Sequence, residues 1–118
     1  MIASADRLFE LEAELAGAVG ELEATANGYA TARQLVGLRD DRLKRELSLL
    51  VSEYIRGGEP AGASEHHARA DERYQAAATK ILNETIAAQK VCTRWEVMKT
   101  KIEAVQQLLN DERQKMKL

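Results

Sequence analysis

The chain has 118 residues, of which 45% are apolar, 31% charged and only 4% aromatic, and its formal net charge is −2. This length suits one domain, so we expect a single domain over residues 1–118. A composition rich in alanine, leucine, glutamate, lysine and arginine, with so few aromatic residues, is typical of long helices and coiled coils rather than of compact enzymes.

Cellular location is indicated by what the sequence lacks. Cys92 is the single cysteine and so cannot form an internal disulfide, and residues 1–6 have neither the basic region nor the apolar core of a signal peptide. We therefore expect a cytoplasmic protein. No apolar run approaches the roughly 20 residues that span a bilayer, so we expect no membrane partner.

Two helices are predicted in chain order, separated by one loop. Pro60, the only proline, lies among three of the seven glycines, which predicts a loop over residues 57–63. We expect a first helix over about residues 4–56 and a second over about residues 64–116, with Ser64 as its N-cap. As an alternative, Asn27 and Gly28 form a C-cap pair that would break the first helix at 27–28.

Both predicted helices carry an apolar residue every seven positions. The first repeat consists of Leu8, Leu15, Leu22, Tyr29, Val36, Leu43 and Leu50. The second consists of Tyr74, Ile81, Ala88, Trp95, Ile102, Leu109 and Met116. A strict interval of seven keeps one side of a helix against a partner helix and favours left-handed supercoiling. The fold class expected is therefore all-α, a long antiparallel helical hairpin of the coiled-coil type.

The distribution of charge supports antiparallel pairing. Residues 1–38 contain six acidic and two basic side chains, a net charge of −4, whereas residues 90–118 contain seven basic and four acidic side chains, a net charge of +3. A turn near residue 60 places these two segments side by side. Because opposite charges then face each other, their summed attraction favours this orientation of the helices.

An apolar cluster beside the loop predicts self-association. The segment that would face it, residues 65–73, is almost entirely charged, so we expect the cluster to meet another chain in a homodimer or larger oligomer, such as a four-helix bundle. The predicted contact residues are Leu47, Leu50, Val51, Tyr54 and Ile55. The alternative is that the chain folds locally over the cluster and covers it.

Trp95 is the only tryptophan, and a turn near residue 60 places it opposite position 25. A bulky indole needs space at native packing density. The small residues Gly20, Ala24 and Gly28 recur every four positions there, and we expect them to receive Trp95. The alternative is that these residues simply occur in an alanine-rich helix that tolerates them.

Few residues suggest chemistry. His67 and Asp71 have the i, i+4 spacing that places two metal ligands on one helical face, but two ligands do not make a site. No glycine loop for phosphate, serine elbow or paired-cysteine motif occurs. We therefore expect no catalytic residues, no metal and no cofactor, and we predict that the chain is not an enzyme.

Basic residues on the second helix provide the alternative function. Lys90, Arg94 and Lys101 lie on one predicted helical face and could contact phosphates, which would make the chain a nucleic-acid-associated accessory factor in recombination or replication. The negative net charge disfavours this reading. The alternative is that these basic side chains only complement the negative charge of the first helix.

The layout resembles that of small bacteriophage-encoded helical hairpins. The resemblance covers the charged stretch 39–46, the Gly-Pro-Gly break, and the stretches 68–76 and 102–113. It implies an accessory protein that binds host or phage proteins, for example an anti-defence factor. Hairpin stalk proteins of bacterial secretion systems look similar. We therefore predict a non-enzymatic oligomeric protein that acts through protein–protein binding, with itself and a further protein as partners.

Overall fold

The computed structural model describes the backbone of residues 2–117 and the side chains of residues 5–117. The described residues form four helices: α1 (Ile2–Gly37), α2 (Arg39–Arg56), α3 (Ala61–Ala70) and α4 (Glu72–Lys117). The expected all-α class is confirmed. The chain divides into two compact units, which are described separately below: a terminal unit, Met1–Ala30 with Val91–Leu118, and a loop unit, Thr31–Lys90.

The interruption between α1 and α2 lies at Leu38, not at Asn27 and Gly28, where α1 is continuous. Helical hydrogen bonding persists across Leu38, since its N–H donates to the Gln34 carbonyl at 3.0 Å and its own carbonyl accepts from the Arg42 N–H at 2.9 Å. The first predicted helix, residues 4–56, is therefore two helices separated by a single residue.

The loop after α2 is shorter than predicted. Gly57 ends α2 by donating its N–H to the Glu53 carbonyl at 3.1 Å, and Gly58 adopts a φ of 96°, which side chains of L-residues rarely tolerate. Pro60 is the N-cap of α3, so the helix begins at Ala61. The predicted cap at Ser64 is wrong, because its buried hydroxyl donates to the Pro60 carbonyl at 2.8 Å from inside the first turn.

Asp71 divides the predicted second helix, residues 64–116, into α3 and α4. Its backbone is extended, with φ −66° and ψ 132°, and its N–H donates to the Ala68 carbonyl at the end of α3. Its carboxylate accepts the N–H of Arg73 at 2.8 Å, which is the hydrogen bond of an aspartate N-cap. The same residue therefore ends one helix and begins the next.

In the terminal unit, α1 and α4 run antiparallel around a small apolar core. Leu11, Val105 and Leu109 are buried together, with Leu8 and Leu15 packed against them. The expected charge pairing occurs at the surface of this unit, in pairs between Glu12 and Arg113 at 3.3 Å and between Glu14 and Lys101 at 3.9 Å. Such exposed pairs contribute at most about 1 kcal/mol each, so the apolar core carries most of the stability.

In the loop unit, α3 packs against α2. On α3 the two fully buried positions are Ser64 and Ala68, one turn apart, and on α2 the buried residue is Leu50. Small side chains allow the two helix backbones to approach closely. On α4 of this unit, the buried residues are Ile81, Thr85 and Ala88, and the Thr85 hydroxyl is satisfied by the Ile81 carbonyl at 2.8 Å.

Trp95 lies opposite the predicted part of α1 but not on the predicted residues. Its ring stacks on Tyr29 with centroids 4.0 Å apart and an interplanar angle of 14°, and its Nε1 donates to the Leu22 carbonyl at 3.3 Å. Gly20, Ala24 and Gly28 are exposed. The prediction that these three residues receive the indole is wrong, since a Cβ built on either glycine contacts nothing within 4 Å.

Replacing Gly20 or Gly28 with alanine is expected to stabilise the protein by about 0.5–1 kcal/mol each, because alanine is the better helix former and its methyl group has free space. Chemical denaturation followed by circular dichroism measures the change. Gly58→Ala is the matched control and is expected to destabilise, because of its positive φ. A loss of stability in Gly20→Ala and Gly28→Ala would contradict the open surroundings of these glycines.

Candidate binding surfaces

A polar network in the loop unit joins α2 to the start of α4. The Tyr54 hydroxyl donates to Asp71 Oδ2 at 2.7 Å, and the Arg73 side chain donates to both oxygens of the same carboxylate at 3.0 and 3.2 Å. Arg73 also donates through Nη1 to both oxygens of Glu53, at 2.9 and 3.0 Å. Bidentate contacts of this kind fix the geometry of the side chains as well as pairing their charges.

The proton equilibria of this network follow from its hydrogen bonds. Donation from the Arg73 side chain, then from the Tyr54 hydroxyl, holds the pKa of Asp71 well below its usual range. The pKa of Tyr54 is raised, mainly because its hydroxyl proton is held by the Asp71 carboxylate. The Asp71 side chain is only 11% exposed, so its charge is satisfied by protein donors rather than by open solvent.

His67 extends the network along α3. Its Nδ1 lies 2.6 Å from Oε2 of Glu59, and its ring centroid is 5.9 Å from that of Tyr54. His67 and Asp71, which the sequence suggested as a pair of metal ligands, are thus engaged with different partners. No group of three or more histidine, cysteine, aspartate or glutamate residues is placed to hold a metal ion among the described residues. The network therefore holds both ends of α3 in place, through His67 with Glu59 and through Asp71 with Tyr54.

The apolar cluster predicted to drive self-association is largely covered by its own chain. Leu50 is 8% exposed, and Leu47, Val51 and Tyr54 are half-buried. Ile55 remains 46% exposed. The segment after the loop, α3, lies against α2, so the structure shows the alternative in which the chain folds over the cluster. Leu50 and Tyr54 are therefore not free to meet a partner, because burial and the bond to Asp71 already engage them.

Large aliphatic residues remain exposed elsewhere, on α4. In the loop unit, Leu82 is 42% and Ile86 50% exposed, and in the terminal unit, Val97 is 63% and Leu108 46% exposed. We call these four residues the exposed aliphatic row. They lie outside the seven-residue repeat, so a search for that repeat misses them. The available signal was a second interval of eleven residues, from 86 to 97 to 108, which is three helical turns.

The predicted phosphate-contacting residues are exposed, as phosphate binding would require. Lys90 is exposed in the loop unit, and Arg94 and Lys101 are exposed in the terminal unit. The Lys101 ammonium lies 3.9 Å from Glu14, so one of the three side chains is already near an opposite charge. In chain order, Lys90 and Arg94 follow Ile86, and Lys101 follows Val97, so α4 carries both basic and aliphatic exposed residues.

Comparisons with known proteins returned no relative. No known protein family, curated protein or solved structure matches the chain. Within the described residues, every helix is too short or too polar to cross a bilayer.

Replacing Asp71 with asparagine is expected to lower the melting temperature at pH 7. The melting temperature of this variant should also fall less than that of the wild type when the pH is lowered. Since the pKa of Asp71 is lowered by folding, the ionised carboxylate stabilises the folded state above the unfolded value of about 3.9, and this stabilisation is lost as pH falls toward the lower folded value. Thermal melts at pH 7 and pH 2.5 measure the effect.

The control for this experiment is Asp41→Asn, at an exposed position on α2. The difference in melting temperature between wild type and Asp71→Asn should shrink from pH 7 to pH 2.5. A difference that stays constant across this range would contradict the stabilising role of the ionised Asp71 carboxylate. The same pH dependence of the melting temperature in both variants would contradict it too.

Proposed function

We propose that this protein is a non-enzymatic helical protein that acts by binding proteins, with a second copy of itself as one partner. The observation that carries the proposal is the exposed aliphatic row of α4. Four large aliphatic side chains, each between 42% and 63% exposed, are spaced so that each unit presents its two members on one side of the helix. Exposed large apolar side chains are a feature of interaction sites.

A second copy is a suitable partner for physical reasons. Covering apolar surface stabilises an assembly by about 25 cal/mol per Å² removed from water. In a two-fold dimer the same surface occurs on both chains, so one row of aliphatic residues meets its equivalent and both are covered at once. Two helices from each chain would then form a four-helix bundle.

The basic residues near the row fit the edge of such an interface. Lys90, Arg94 and Lys101 have long aliphatic stems, which can lie along apolar surface while the charged ends stay in water. These charges also favour partners with acidic helices. The resemblance to phage-encoded hairpins supports an accessory role of the same kind, such as an anti-defence factor that binds a host or phage protein.

Two double variants test the proposal: Leu82→Ser with Ile86→Ser, and Val97→Ser with Leu108→Ser. Sedimentation equilibrium at micromolar concentration should show an oligomer for the wild type and a monomer for at least one variant, with helicity retained. Ile55→Ser, at an exposed aliphatic position outside the row, is the control and should associate like the wild type. A wild type that is monomeric with native helicity would refute self-association.

Nucleic-acid binding is the second candidate, favoured by the exposure of Lys90, Arg94 and Lys101. Phosphate-driven binding must weaken steeply with salt, by a power of the salt concentration close to the number of phosphates neutralised. We expect a fluorescent 20-base-pair DNA to show no such binding in anisotropy titrations at 50 and 200 mM salt. Strong binding at 50 mM salt that is lost in Lys90→Ala with Lys101→Ala would favour the nucleic-acid function instead.

A further inference from the structure

A groove lies on the surface of the loop unit between α2 and α4. Its volume is about 370 Å³. It is lined by Arg42, Arg45, Glu46, Leu49, Ala77, Lys80 and Ile81. Leu82 and Ile86 of the exposed aliphatic row do not line it, so the groove is a separate feature of this unit.

The floor of the groove is apolar. Leu49 is 56% exposed although it lies beside the buried Ile81, which is 4% exposed. Ala77 of α4, whose side chain is a single methyl group, lines the same groove. A large aliphatic side chain of another molecule could cover Leu49 there, and burial of both surfaces would favour that contact.

The rim of the groove is mainly basic. Arg45 and Lys80 are exposed, and Arg42 donates through Nη2 to Glu84 at 2.6 Å. The other terminal nitrogen of Arg42, Nη1, is buried and has no hydrogen-bond acceptor. This nitrogen lies inside the protein, so the basic groups that a ligand in the groove can reach are those of Arg45 and Lys80.

We propose that the groove binds an acidic peptide segment of a partner protein, with an aliphatic side chain on Leu49 and carboxylates on Arg45 and Lys80. The proposal rests on the proposed protein-binding function and adds the chemistry of the partner at a second site. Guanidinium groups bind carboxylates in a planar, two-pronged geometry, which suits the exposed Arg45. The exposed Leu49 favours such a peptide over a bare phosphate, because a phosphate has no apolar group that could cover this side chain.

The test starts from a displayed library of random twelve-residue peptides, selected on the full-length protein and counter-selected on the variant Arg45→Glu with Lys80→Glu. We expect enriched peptides to combine several acidic residues with a leucine, isoleucine or phenylalanine. No enrichment against the variant, or enrichment of peptides without acidic residues, would overturn the proposal.

Affinity measurements on one enriched peptide then locate its site. Fluorescence anisotropy should show at least a tenfold weaker Kd for Arg45→Glu with Lys80→Glu, and a weaker Kd for Leu49→Ser and for the milder pair Arg45→Gln with Lys80→Gln. The matched control is Lys44→Glu with Arg56→Glu, two exposed basic residues of α2 outside the groove, and should bind like the wild type. Equal weakening by the control would overturn the assignment, as would displacement of the peptide by inorganic phosphate.

The self-association proposal and the groove proposal can be tested separately. The variant Leu82→Ser with Ile86→Ser should still bind the enriched peptide even where it no longer self-associates. Peptide binding that is lost in this variant but kept in Leu49→Ser would place the peptide on the exposed aliphatic row and overturn the groove proposal.

Discussion

The architecture of the loop unit depends on one carboxylate. Asp71 caps the start of α4 with one oxygen and accepts the Tyr54 hydroxyl of α2 with the other, while Arg73 donates to both. These bonds hold the chain extended at a point where its neighbours are helical, which directs α3 along α2. Without the interruption the helix would continue past residue 70, and α3 would not be a separate helix that packs against α2.

The parts of the fold that repeat along the chain could be predicted from the sequence. The seven-residue apolar repeat indicated helices correctly, because periodicity is a property of a whole segment and survives local errors. From Leu8 to Leu50 the members of the first repeat are buried or half-buried. Pro60 and its neighbouring glycines located the loop, since proline fixes its own φ and a glycine such as Gly58 readily adopts a positive φ.

The break at Asp71 could not be predicted in the same way. The residues around it, Ala-Arg-Ala-Asp-Glu-Arg, have good helix propensity, and the hydrogen bond that favours the break comes from Tyr54, 17 positions away. The apolar cluster on α2 was recognised, but self-association was preferred to cover by the chain itself, because α3 buries small residues, Ser64 and Ala68, rather than large ones. The part of α1 that faces Trp95 was predicted correctly. The residue that contacts the indole is Tyr29 of the seven-residue repeat, however, and not the glycines near it.

The stack of Trp95 on Tyr29 gives the protein a built-in optical reporter. The indole belongs to the terminal unit, and it is the only one in the chain. Indole emission can be excited separately from that of tyrosine and depends on the polarity of its surroundings, here a tyrosine ring, the Leu22 carbonyl and the Lys99 ammonium 6.0 Å from the ring. Its emission therefore follows the opening of the terminal unit alone, while far-ultraviolet circular dichroism follows the helices of both units. A lag between the two signals during unfolding would show directly whether the units melt together or one after the other.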